Sequence, residues 1–147
     1  MFRGNNPTRT DEKGRLKVPA DFKREITERY GSERFYITSR NGKTAEIYPM
    51  EEWEKIELKL AAVPTSNPNR QKFLEITNYY GQVVEMDAQG RLLLPSLLRE
   101  RANLKGDVAV VGMLTYLVVR NMEAYSKQIE ENPLTDEESS ALGELGI

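Results

Sequence analysis

The chain has 147 residues, of which 30% are charged and 39% hydrophobic, with no cysteine and no histidine. That length suits one ordinary domain or two very small ones. The missing residue types exclude a disulfide framework, Ser-His-Asp and Cys-His mechanisms, and any Cys- or His-ligated metal.

The net charge of −2 hides a gradient along the chain. Residues 1–43 carry 11 Lys+Arg against 6 Asp+Glu, residues 44–120 carry 9 against 10, and residues 121–147 carry 1 against 7. A basic front end and an acidic tail say more about polyanion binding than the total does. No apolar run approaches the ~18 residues of a membrane-spanning helix. The start, Met1-Phe2-Arg3-Gly4-Asn5-Asn6-Pro7, has no signal-peptide core. The expectation is a cytoplasmic protein that is not an enzyme, with no cofactor and no small-molecule substrate.

The first local signal is Asp11-Glu12-Lys13-Gly14. The aspartate accepts turn amides and the glycine takes a positive φ, which predicts a three-residue hairpin loop. Arg15-Leu16-Lys17-Val18 alternates polar and apolar like a half-buried strand. Pro19 then opens a helix with Phe22 and Ile26 on one face. Phe35–Thr38 and Thr44–Tyr48 read as strands joined at Asn41-Gly42. A helix from Pro49 carries Trp53, Ile56 and Leu60, with Glu51 and Glu52 at its positive end.

Pro64–Pro68 reads as a loop, and a helix from about Asn69 to Gly81 carries Phe73, Ile76, Tyr79 and Tyr80. Val83–Met86 reads as a strand, and Asp87-Ala88-Gln89-Gly90 repeats the turn. Arg91-Leu92-Leu93-Leu94 is apolar almost throughout, which predicts burial on both faces. Leu98 and Ala102 share a helix face. Val108–Val111 and Tyr116–Val119 read as strands with a turn opened by Gly112, and Asn121 caps a further helix. From Asn132 the chain is acidic, either a short helix or disordered.

The two turns belong to a duplication. Asp-x-x-Gly-Arg-Leu-x-x-Pro occurs at Asp11–Pro19 and at Asp87–Pro95, 76 residues apart. Arg24-Glu25 and Arg99-Glu100 follow 75 residues apart, which implies a one-residue length change. Two copies are too few for a solenoid and imply a pseudo-symmetric pair.

With Met1-Phe2-Arg3-Gly4, both Asp-x-x-Gly-Arg frames, and Tyr48-Pro49 followed by Trp53, the sequence resembles the MraZ family over roughly residues 1–130. Thr10 departs from it, standing where the family usually has an apolar residue, and so do Val119-Arg120-Asn121. The resemblance implies an α+β, β-rich fold of two pseudo-symmetric AbrB-like swapped-hairpin (double-split β-barrel) units with packing helices. The units are expected at 5–54 and 81–126, with a helical connection at 55–80 and an acidic tail at 132–147. The resemblance also implies a sequence-specific DNA-binding transcription regulator of the cell-division and cell-wall gene cluster. Such a protein is nucleoid-associated and forms a ring-shaped, octamer-like homo-oligomer on repeated operator sites in double-stranded DNA.

The residues themselves favour a DNA contact at the first turn. Arg15 offers a planar fork to guanine or phosphate, and Lys13, Lys17, Arg9 and Arg3 add positive charge nearby. Arg91 has two readings, contact with DNA or pairing with Asp87 to stiffen the second turn. Asp11, Gly14, Asp87 and Gly90 are structural turn residues. Trp53, Phe73, Tyr79 and Tyr80 belong to the core or a subunit interface. A competing class is an antitoxin-like or other protein-binding module that uses the acidic tail.

Overall fold

The computed structural model describes all residues, Met1–Ile147. It is an α+β protein with eight strands and six helices. The first copy runs β1 (Asn5–Thr10), β2 (Arg15–Lys17), α1 (Ala20–Arg29), β3 (Arg34–Thr38), β4 (Ala45–Pro49), α2 (Met50–Ala61) and α3 (Pro68–Tyr79). The second runs β5 (Gln82–Glu85), β6 (Arg91–Leu93), α4 (Ser96–Arg101), β7 (Gly106–Met113), β8 (Tyr116–Asn121), α5 (Met122–Glu131) and α6 (Asp136–Gly143). Element for element, the order is the same.

The strands form one antiparallel sheet in the order β5-β3-β4-β8-β7-β1-β2-β6. Its two edges are consecutive in the chain. They meet at the second turn, where the Asp87 N–H donates to the Arg91 carbonyl at 2.9 Å, so the sheet is nearly closed like a barrel. The copies interleave within it. The first copy's β1 pairs with the second copy's β7, and the second copy's β5 pairs with the first copy's β3. Where the copies meet directly, residues face their own counterparts: Leu16 opposite Leu92 in β2–β6, and Glu46 opposite Val118 in β4–β8. A pseudo-twofold axis passes through both pairings.

Alternation builds the inside. Leu16, Leu92, Phe35, Ile37, Ala45, Ile47, Val108, Val110, Leu117 and Val119 point inward, and α1 and α4 add Phe22, Ile26, Leu98 and Ala102 to the same buried cluster. Full burial of each large apolar side chain contributes about 1.5–3 kcal/mol. The two copies therefore share one core. Thr10 is also buried, with its hydroxyl unpaired. Outside, Trp53 stacks on Tyr36 with ring centroids 4.6 Å apart, and Tyr48 stacks on Tyr116 at the same separation.

Three expectations are corrected. Leu93 is 52% exposed, because β6 is a barrel strand with one face outward and only Leu92 and Leu94 turn in. Gly112 does not open a turn. It continues β7, and the chain reverses at Leu114, whose φ is +63°. At Gly112 a side chain would run into the Arg3 backbone, because the N-terminal segment crosses there. Finally, α1 and α4 keep the 76-residue offset, since Phe22 and Ile26 match Leu98 and Ala102. There is no length change at this point, and the counterpart of Arg99 is Lys23 rather than Arg24.

Candidate nucleic-acid interface

Each turn is held by its aspartate. Asp11 Oδ1 accepts the N–H groups of Lys13 (3.0 Å) and Arg15 (2.8 Å), and its Oδ2 accepts Arg15 Nε at 2.7 Å. Asp87 repeats this with Gln89 (2.9 Å), Arg91 (2.9 Å) and Arg91 Nε (2.7 Å). The amides of Gly14 and Gly90 donate to the carbonyls of Asp11 and Asp87. These glycines sit at φ +84° and +76°, a region side chains strongly disfavour. Donation from the Arg15 amide holds the Asp11 carboxyl below the usual aspartate range, and the Arg91 amide does the same for Asp87.

The turns lean on each other. The Val18 N–H donates to the Gly90 carbonyl and the Leu94 N–H to the Gly14 carbonyl, both at 3.0 Å. Because Leu16 and Leu92 point into the core, Arg15, Lys17, Arg91 and Leu93 point outward together. Lys17 lies opposite Arg91, and Arg15 lies opposite Leu93. Each arginine spends its Nε on an aspartate, while its terminal nitrogens make no hydrogen bond within the chain and its side chain stays partly exposed, which leaves a fork of the kind that grips phosphate or a guanine edge.

The structure thus brings Arg15, Lys17 and Arg91 onto one face, with Lys13 at the tip of the first turn. Arg9 lies at the flank, 3.5 Å from Asp107 in a fully solvated pair, which contributes little to stability. Arg3 is not part of this group. Phe2 bridges Leu114 at the far end of β1, and a six-residue strand separates Arg3 from the turn by roughly 20 Å.

Two cations escaped the sequence reading. The Arg99 guanidinium lies over Gly14, and the Lys23 ammonium lies over Gly90, so each copy's helix caps the other copy's turn. Arg99 Nε also donates to the Leu94 carbonyl at 3.0 Å. Beside the first turn, Arg9, Arg99 and Lys105 line an open polar cleft of about 410 Å³ together with Asp11 and Glu12. The signal for Lys23 and Arg99 was present in the 76-residue offset, but alignment on the identical Arg-Glu pairs obscured it. Elsewhere no helix is long and apolar enough to cross a membrane. Tyr79, expected in a core or interface, is exposed, whereas Trp53 is buried.

A duplicated, pseudo-twofold α+β chain with paired Asp–Arg turns on one basic face defines a class of small two-repeat proteins. The sequence pattern of the family described as "MraZ protein, putative antitoxin-like" matches residues 1–76 and 81–145. The chain belongs to the MraZ family. It is 63% identical over 147 residues, the whole of both chains, to proteins named transcriptional regulator MraZ from Koribacter versatilis and Acidobacterium capsulatum. A namesake from Syntrophobacter fumaroxidans is 38% identical over 129 residues, 88% of this chain and 85% of its own.

Proposed function

We propose that the protein is a sequence-specific DNA-binding transcription regulator whose outward β2–β6 face lies on double-stranded DNA. The observation that carries this reading is the pair of like-built arginine turns, related by a pseudo-twofold axis and flanked by Lys13 and Lys17. A twofold surface matches the dyad of a duplex, and hairpin tips reach bases or backbone where a flat sheet cannot. The relatives' names point the same way. The reciprocal pairing of β1 with β7 and β5 with β3 supports describing the fold as two AbrB-like swapped-hairpin units, at 5–54 and 81–126.

Arg15 and Arg91 form the centre of the interface, Lys13, Lys17 and Arg9 its phosphate-binding flank, and Arg3 an outlying contribution. The targets are repeated operator sites before the cell-division and cell-wall gene cluster, with the protein on the nucleoid as a closed homo-oligomer. Linking several weak contacts in this way raises avidity without new contacts. A mobility-shift titration at several salt concentrations, with competitor DNA and a footprint on the protein's own promoter, tests this. A salt-independent shift, or equal affinity for competitor, would overturn it.

A further inference from the structure

The two halves differ most at their third helix. In the first half α3 is seated on the outer face of the sheet. Its Thr77 is 1% exposed, and the Thr77 carbonyl accepts the hydroxyls of Tyr36 (3.0 Å) and Thr38 (2.6 Å). Phe73 completes the seat, stacking toward Trp53 with ring centroids 6.3 Å apart.

The second half has the same seat with nothing in it. Thr38 pairs with Glu46 as Val111 pairs with Val118, and Tyr36 pairs with Tyr48 as Ala109 pairs with Arg120. Tyr48 packs on Trp53, and likewise Arg120 lies over the Tyr125 ring at 4.7 Å. Val111, Val118, Arg120, Tyr125 and Ile129, with Arg40 at the edge, line an open groove of about 470 Å³.

The helix that corresponds to α3 is α6, and it stands away from this groove. It has eight residues and none of them is buried. Thr135 and Glu138 close a capping box at its start, yet a cap stabilises a helix by only about 1 kcal/mol. Isolated helices shorter than about 12 residues are marginal in water without packing. Leu134, Leu142, Leu145 and Ile147 are all exposed along this arm. The connection is also short and contains Pro133: four residues join α5 to α6, where six join α2 to α3.

Charge names the partner. The arm begins with Asp136, Glu137 and Glu138, and the groove presents Arg40 and Arg120. Arg40 is paired with the groove's one carboxylate, Glu46 (3.1 Å), which also accepts the Tyr48 hydroxyl (2.7 Å), so Arg120 carries the groove's uncancelled positive charge. A second copy of this chain therefore offers what the arm lacks, an apolar seat under a basic rim. We propose that α6 and its flanks form an assembly arm that docks into the α5–β8 groove of a neighbouring copy, in the position α3 takes in the first half. Such a contact is head-to-tail, so repetition closes a ring or extends a chain. The inference refines the homo-oligomer of the reading above and assigns its interface.

The test uses the full chain by light scattering, with thermal melts to confirm folding. Leu142→Asp with Leu145→Asp disables the arm, and Ile129→Asp disables the groove, all at exposed positions. The unaltered chain is expected to be larger than the 16.8 kDa of one copy, and each variant alone to be monomeric. Mixed together, the two variants are expected to form a 1:1 pair and nothing larger, because one intact arm meets one intact groove. A monomeric unaltered chain, a variant that keeps the full mass, or a mixture that forms no pair would overturn the proposal. So would an arm protected from hydrogen exchange within a monomer, which would place it in its own groove. DNA binding is read separately on the unaltered chain and the arm variant at low salt. Absence of binding by the unaltered, assembled chain would count against the β2–β6 reading and leave the arm untouched, whereas weaker binding by the monomeric arm variant follows from lost avidity.

Discussion

The first turn and the second are closed by the same three hydrogen bonds to one aspartate, two of them from the arginine, yet Lys13 and Lys17 flank the first where Gln89 and Leu93 flank the second. Spacing dictates the backbone. An aspartate four residues before an arginine, with glycine between them, closes the loop whatever lies alongside. The flanks face solvent, so their charge varies without cost to the fold. Whatever separates the two turns in function therefore lies in the flanks and not in the arginine itself.

The largest expected effect comes from separating the copies. A fragment of residues 1–64 loses β7, the partner of β1, and β6, the partner of β2. It also loses half of the shared core. The fragment should be unfolded or aggregated. A sharp, cooperative melt of this fragment as a monomer would show that the first half stands by itself.

Next come the arginines. Arg15→Ala and Arg91→Ala are each expected to weaken DNA binding by roughly 1–3 kcal/mol where they make paired base contacts. Fold and oligomer should stay intact, because turn closure rests on the aspartate–amide bonds. A loss for one and none for the other would mean that the turns share a construction but not a role.

The turns were legible in the sequence because their chemistry is local. Asp, Gly and Arg at fixed spacing describe a loop that needs no distant partner. The strand β1 was not read at all. Asn5-Asn6-Pro7-Thr8-Arg9-Thr10 has no apolar alternation, and its strand character comes from β7 alongside. Leu93 stands in an apolar run that points to burial, yet it is exposed for the same reason, since only the closed sheet decides which face looks out. Gly112 carried a turn signal but serves a crossing of the N-terminal segment, which local pattern cannot reveal. The cationic caps Lys23 and Arg99 act on the opposite copy's turn, so they appear only when the copies are superposed.

Thr10 offers a smaller test of the two halves against each other. It occupies the position that Met86 fills in the second copy, both are buried, and its hydroxyl has no partner. An unpaired buried hydroxyl costs about 1–3 kcal/mol. Thr10→Val, nearly equal in volume, should raise thermal stability by a good part of that, while Met86→Thr should lower it. If Thr10→Val destabilises, the hydroxyl has a role that the buried cluster does not account for.

The smallest effect isolates the flanks. Lys13 and Gln89 occupy equivalent tips, and both donate their backbone amides to the turn aspartate. Exchanging their side chains therefore leaves the loop alone and moves only charge. If Lys13 neutralises one phosphate, Lys13→Gln should lower the slope of log affinity against log salt by about 0.9, equally for operator and competitor DNA. Gln89→Lys should raise it by about the same amount if the second tip lies as close to the backbone as the first. The double exchange should then return the slope to its starting value. A change for Lys13→Gln with none for Gln89→Lys would place only the first tip on the phosphates, despite the common geometry of the two turns. No change for either would move the phosphate contacts to the cleft of Arg9, Arg99 and Lys105, where Lys105→Gln becomes the variant that lowers the slope.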